Sequence, residues 1–568
     1  MQANGRSIGQ SRWRWAAWAG LILFALIQIL PSALSSQTGG GTALSRDEAK
    51  RQALLIASER FGISADRVDR VLLVHTSNSK AVGYFSKEEL LSRYQQEWEP
   101  NYPTDVYRAD LVLAAGEGTL TLMLQMHSGQ LVGWKDESGT HPAAGASQSD
   151  KRSFMDKAMA YASFFGVRAA DWEPAEQGAP GTAVFHSRKS ALGEARVRLE
   201  VQVPPGYEPA SSAFPRWQGG SVTYAIEIPG DFTAYVEDQT RLSSRLNAIG
   251  FIVPHLVLFV MAIVYAGTRR KHTSFRRGIG FASVFFLFYV AFTFNMIPGL
   301  RAQVLEEGLP ADDPLLTGVI VSTLIVVAVM AAFTYFSAVG GDGLWNSMGR
   351  SLWPRWRDRG FGDSVVVSMK QGYKLAFILM GVQSVILLGL QHGIGMFQAS
   401  DATQSTYNMT YPWLLLLLAW CAGISEEIQS RFFGIALFRS WLVGGAKKVL
   451  GREPGKRSAA VLTLIAMLPP GLFWAFGHVS YAVYPAYSRV IELVLMGLLF
   501  GWFMLRFGLL AVIFAHITLD SFLMATQMVF DGLPGNLPVG ILGIFLPAIV
   551  AYVIWWLHRG AAQPRPAG

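Results

Sequence analysis

Three groups of ionisable residues stand where the surrounding sequence is almost wholly apolar. Glu426 and Glu427 close the run Trp413-Leu-Leu-Leu-Leu-Leu-Ala-Trp-Cys-Ala-Gly-Ile-Ser425, His478 ends Phe473-Trp-Ala-Phe-Gly, and His516 and Asp520 lie within Phe514-Ala-His-Ile-Thr-Leu-Asp520. An ionisable group inside a membrane span is costly, so its presence is a functional hypothesis by default. Helical spacing puts His516 and Asp520 on one face of their helix, and Glu427 and Arg431 on one face of theirs. Peptide hydrolysis in a membrane needs an activated water, a base for its proton and donors for the tetrahedral oxyanion. Here an ionised Glu426 with His478 can polarise water, Arg431 can balance the paired glutamates, and His516 with Asp520 can place donors at the oxyanion.

The elements that position these groups must be membrane spans. The chain has 568 residues, 51% hydrophobic and 15% charged, with a mean hydropathy of +0.29, against about 25% charged in soluble domains. That excludes an ordinary soluble enzyme. A single cysteine, Cys421, excludes an intramolecular disulfide. The net charge of +8 divides unevenly: residues 36–245 hold 22 basic and 26 acidic residues, net −4, leaving 26 basic and 14 acidic, net +12, for the rest. The basicity belongs to the hydrophobic part, where it reads as topology and a lipid surface, with no nucleic-acid partner.

A span needs about 20 apolar residues. The first runs from Trp15 to Leu34 behind Arg6, Arg12 and Arg14, and reads as a retained signal anchor in preference to a peptide cleaved within Pro31–Ser36. Further apolar stretches recur near 246–268, 279–299, 316–338, 373–396, 411–430, 459–482, 490–506, 508–530 and 538–557. Every second joint is basic, as in Arg269–Arg277, Arg350–Lys370 and Arg439–Arg457, whereas Glu306, Glu307, Asp312 and Asp313 mark the joint between the first two. The positive-inside rule then places both termini in the cytoplasm and residues 36–245 outside. The expected fold is mostly α: a polytopic helical membrane bundle of about ten spans with an inserted α+β extracytoplasmic domain. Its divisions are 1–35 (N-terminus and anchor), 36–245 (outer domain), 246–372 (additional spans), 373–558 (the domain holding the polar groups) and 559–568 (tail).

The outer segment contains two approximate copies of one pattern, a helix followed by strands. Asp47–Phe61 has helical periodicity, Thr119–Met126 and Gln130–Trp134 read as a hairpin, and Ser221–Ile228 alternates as a strand. Ala162, Ser163, Phe165, Gly166 and Asp171 echo Ala57, Ser58, Phe61, Gly62 and Asp66 with one residue of slip. This layout resembles the PepSY-like modules found outside the cell, which implies inhibition or partner binding by an extracytoplasmic regulator.

Glu426-Glu-Ile-Gln-Ser-Arg431, His478 and His516-Ile-Thr-Leu-Asp520 resemble the three motifs of the type II CAAX prenyl protease and bacteriocin-processing family of intramembrane proteases: Glu-Glu-x-x-x-Arg, Phe-x-x-x-His and His-x-x-x-Asn or Asp. The second motif here begins with Trp474 in place of Phe. The resemblance spans Tyr373 to His558 and leaves the outer domain unexplained. It implies a catalytic glutamate at Glu426, a water-activating histidine at His478 and a third-motif pair at His516 and Asp520, acting on a membrane-associated peptide or protein. Family members have been regarded as metalloproteases and as glutamate-dependent enzymes. No His-Glu-x-x-His pair is present, although two His and carboxylates can hold zinc; the reading favoured is a glutamate-dependent site that requires no cofactor. The loop pattern suits a multi-pass protein of a bacterial plasma membrane.

Each motif has an ordinary alternative. Glu426 and Glu427 can end a helix at the interface beside Arg431, His478 can be a packed aromatic-cluster histidine, and His516 with Asp520 a structural pair. His255, His392 and Glu492 are expected at the interface, and Trp413, Trp420, Trp555 and Trp556 in an aromatic belt. A catalytically inert receptor or scaffold and a secondary transporter are the rival functions. Geometry sets a condition: from the ends of straight helices, His516 lies roughly 12 Å and His478 roughly 28 Å from the cytoplasmic side, and Glu426 roughly 22 Å from the other. They meet only if Pro469-Pro470 shifts its span or that helix starts within the basic segment 452–457.

Overall fold

The computed structural model describes residues 2–31, 33, 42–136, 151–175, 181–204, 207–209, 217–309 and 313–562. Most of Pro31–Ser36, Asp312 and the tail from residue 563 lie outside these. The chain forms an N-terminal antiparallel sheet domain on a mostly helical body.

The first half of the sheet domain opens with helix Arg46–Phe61. Ser45 and Glu48 form a capping box at its start, satisfying two backbone N–H groups, and Gly62 ends it at a φ of +66° that a side chain would strain. Strands β1 (Val68–Ser77), β2 (Asp105–Leu113), β3 (Thr119–Gln125) and β4 (Leu131–Asp136) follow. The second half repeats this order: helix Lys151–Phe164, Gly166 at φ +97°, then β5 (Trp172–Pro174), β6 (Thr182–Leu192), β7 (Ala195–Gln202) and β8 (Ser221–Glu227). Both helices are followed by a positive-φ glycine, but the closing bonds differ: Ile63 N–H bonds Ala57 O and Val167 N–H bonds Ala162 O, one residue closer. The sheet order β1-β2-β3-β4-β8-β7-β6-β5 joins two four-stranded meanders through their last strands. Phe61 and Phe165 stack at 5.7 Å and both meet Trp134, so the two helix ends share one aromatic core over the junction.

A 39-residue helix, Gly230–Thr268, leads from the sheet into the helical body through a π turn at Asn247–Ile252. Among the described residues seven helices are long and apolar enough to cross a membrane, or eight if the bent pair Ile279–Asn295 and Ile297–Glu306 counts as one span. The expected count of ten is therefore not confirmed. The stretch 279–299 breaks by 59° at Met296, ahead of Pro298. The stretch 411–430 begins as a 3₁₀ turn and enters a π turn carrying Glu427. The N-terminal helix Gln2–Phe24 nevertheless packs on helix Phe361–Ile394, where Gly20 faces Gly381 so closely that a Cβ on Gly381 would fall 2.4 Å from Gly20 Cα.

The most enclosed helix is Leu509–Phe530, packed by Phe361–Ile394, Leu416–Glu426 and Asn536–Ala562. Gly372 and Gly423 admit it: a Cβ on either would lie 2.5 Å from Phe514 or Ile517. Two expected interface residues are buried instead: Glu492 is fully enclosed, and His255 bonds Phe251 O through Nδ1 at 2.9 Å. Trp420, expected in a belt, is also buried, while Trp413 and Trp556 are exposed.

Candidate active site

Glu426 is the last residue of helix Leu416–Glu426, and Glu427 the first of a π turn, Glu427–Gly434, that continues into helix Ile435–Leu450. A π turn inserts a residue into the helical repeat and frees backbone groups, a feature common at functional sites. Its support comes from helix Asp313–Ser347: Trp345 Nε1 donates to Phe432 O at 2.8 Å, and Gln429 Nε2 donates to Thr334 Oγ1 at 2.9 Å. The two adjacent glutamates have different surroundings. The Glu427 side chain is 0% exposed, whereas Glu426, His478 and Asp520 keep 24%, 21% and 20% of theirs open. Glu426, His478, His516 and Asp520 all line a cavity of about 710 Å³.

His478 lies in the turn that follows helix Lys456–Phe476, which starts inside the basic segment, one of the two conditions set by the helix lengths, and contains Pro469 and Pro470. Gly434 lets that helix approach: a Cβ there would lie 2.7 Å from Pro470 Cβ. Trp474 and His478 follow Pro470 at intervals of four, so the close approach carries both to Glu426. His478 Nδ1 lies 2.8 Å from Trp474 O. A carbonyl only accepts, so Nδ1 holds a proton, and the ring turns its Nε2 towards Glu426 Oε1, 3.8 Å away.

His516 Nδ1 donates to Glu427 Oε1 at 2.8 Å, while its Nε2 lies 3.5 Å from Asp520 Oδ2 and 3.9 Å from Glu426 Oε2. Glu427 Oε1 also pairs with Arg431 at 3.3 Å. Glu427 thus joins Arg431 to His516 beneath the cavity, and all six residues singled out from the sequence converge.

Trp474 is the residue whose role was not legible. Its Nε1 donates to Glu426 Oε2, and its ring lies 3.8 Å from the Arg431 guanidinium carbon. It also meets the rings of His478 at 5.2 Å and His516 at 6.2 Å. The departure from Phe in the second motif was the available signal. His255, Tyr481 and Arg489 also line the cavity without belonging to any motif.

Among the described residues no group of three His, Cys, Asp or Glu side chains is already drawn together as an ion's ligands. What the arrangement offers is a carboxylate and an imidazole Nε2 facing one another across a gap that a water can bridge, with a second histidine alongside.

No curated protein and no solved structure matches the chain. Residues 408–522, which include all six site residues and none of the sheet domain, match the family model described as Type II CAAX prenyl endopeptidase Rce1-like. Residues 408–522 are thus similar to the type II CAAX prenyl endopeptidases, a likeness that together with the long apolar helices points to a multi-pass membrane protease.

Proposed function

We propose that the protein is a glutamate-dependent intramembrane endopeptidase that hydrolyses a membrane-associated peptide or protein, with its outer domain on the extracytoplasmic side of a bacterial plasma membrane. The observation that carries the reading is the facing pair Glu426 Oε1 and His478 Nε2, 3.8 Å apart on a cavity wall. A water held between them donates to both. Glu426 takes one proton as the water oxygen adds to the peptide carbonyl. Protonated His516, bonded to Glu427 and oriented by Asp520, donates Nε2–H to the resulting oxyanion. The C–N bond then breaks as the proton on Glu426 passes to the leaving amine, which balances the reaction without a cofactor. Glu427 and Arg431 hold His516 and Trp474 in place.

The outer domain is proposed to restrict access. Its edge strand β1 packs on helix Ile297–Glu306, and Leu300 and Gln303 of that helix line the cavity. Asn408 fastens the neighbouring loop to β1 by exchanging bonds with His75 N–H and O, each 2.7 Å. A regulator that displaces β1 would disturb the cavity roof.

The test is labelled mapping of protein N-termini in cells carrying wild type or Glu426→Gln at matched expression. New termini that require Glu426 are expected and would identify substrates. Identical profiles would favour a receptor or scaffold instead, and ion-coupled uptake in proteoliposomes a transporter.

A further inference from the structure

Arg489 is the single Arg or Lys on the cavity wall among the described residues. It is the third residue of helix Tyr487–Phe507, at the end where the helix dipole favours negative charge. Its Nη1 donates to Glu492 Oε2 at 2.6 Å, and the other oxygen of Glu492 accepts from Gln383 Nε2 at 2.8 Å. Glu492 is fully buried, so this arrangement fixes the guanidinium from one side. The guanidinium carbon lies 5.4 Å from the Tyr481 ring, which in turn stacks on His478 at 5.8 Å and 14°. Arg489 therefore stands one aromatic ring beyond the histidine of the site.

Its Nε is buried and has no hydrogen-bond partner among the described residues. A buried donor left unmet is costly, and this one belongs to the side of the guanidinium that presents Nε–H and an Nη N–H in parallel. That fork matches the two oxygens of a carboxylate; one carbonyl oxygen would satisfy only half of it. Glu492 does not meet it, because one of its oxygens accepts from Nη1 and the other from Gln383.

We propose that Arg489 forms a carboxylate-binding subsite, which anchors a peptide through its C-terminus or an acidic side chain and so sets which bond lies beside His478 and Glu426. The step after binding rests on the endopeptidase reading; the binding itself does not.

The test uses the full chain in lipid nanodiscs. Binding is measured in a Glu426→Gln background with four fluorescent apolar peptides of one sequence: free C-terminal acid, C-terminal amide, amide with an internal Glu, and amide with an internal Gln. One acid form should bind about tenfold or more tightly than its neutral counterpart, as for a charge-assisted hydrogen bond, and Arg489→Gln should reduce that ratio to about one. Which acid form shows the preference identifies the carboxylate. Because Arg489→Gln leaves Glu492 unpaired, the double substitution Arg489→Gln with Glu492→Gln provides a charge-balanced check, with the same expected loss. Equal binding of acid and neutral forms, a preference that survives both substitutions, or no binding of any peptide would overturn the proposal. With Glu426 intact, selective binding without cleavage would count against the endopeptidase reading alone, and cleavage without acid preference against the subsite alone.

Discussion

Trp474 donates its indole N–H to the Glu426 carboxylate, on the oxygen opposite the one that faces His478. The same ring lies against the Arg431 guanidinium, so one side chain orients the proposed base and stacks on the cation. The Phe of the family motif would keep the ring and lose the donor. Trp474→Phe is therefore expected to lower kcat by about tenfold or more, the loss of a hydrogen bond to a charged group, with KM within about twofold. Kinetics on a substrate found by terminus mapping would check the split; a rise in KM alone would assign Trp474 to substrate packing.

Arg431 and Glu427 are a different matter, because both are buried and each is the other's counter-charge. Removing one partner from such a pair costs about 3–5 kcal/mol. Arg431→Ala should accordingly lower the thermal midpoint of the full chain sharply. The double substitution Arg431→Leu with Glu427→Gln should recover part of the loss. A midpoint unchanged in Arg431→Ala would show that water reaches the pair.

The N-terminal helix meets its neighbour at Gly20 and Gly381, and there is no room for a side chain at the crossing. Gly381→Val should separate the helices and reduce stability. Gly389→Ala, on the same helix but with nothing within 4 Å of its Cβ, should have little effect. Equal midpoints for the two variants would show that the crossing is loose.

The outer domain carries a pH dependence of its own. Burial first, and then the Asp105 carboxylate, push Glu99 up to about 7 from 4.5. The folded state therefore holds a proton on Glu99 that the unfolded state releases, and stability falls as pH rises from about 4.5 to about 7. The thermal midpoint of the outer-domain transition in the full chain should drop over that window, and Glu99→Gln should flatten the drop. A wild-type midpoint that rises between pH 5 and 7 would contradict this.

Helical and strand periodicities made part of the sheet domain readable. Helix 46–61, the 119–136 hairpin and the strand from Ser221 follow from local pattern, and the echo of Gly62 in Gly166 corresponds to two helices each followed by a positive-φ glycine, whereas β1, β2, β5, β6 and β7 were not read. The polar positions at 426, 427, 431, 478, 516 and 520 stood out because charge is rare in apolar runs. The means of bringing them together was hidden. Hydropathy averaged over a span registers neither the π turn after Glu426 nor the close approach of Gly434 to Pro470. Pro298 was the visible warning that the 279–299 stretch would break. Glu492 was assigned to the interface and Arg489 escaped notice because their balance depends on Gln383, distant in sequence.

Glu426 is proposed to be the base that activates water. The most direct test of this role is the cleavage rate of a reconstituted, purified protein on an identified substrate, with wild type compared with Glu426→Gln at equal folding, as judged by thermal midpoint. A loss of about 10²–10⁴-fold in kcat is expected, with substrate binding retained. Cleavage by Glu426→Gln at the wild-type rate would contradict it.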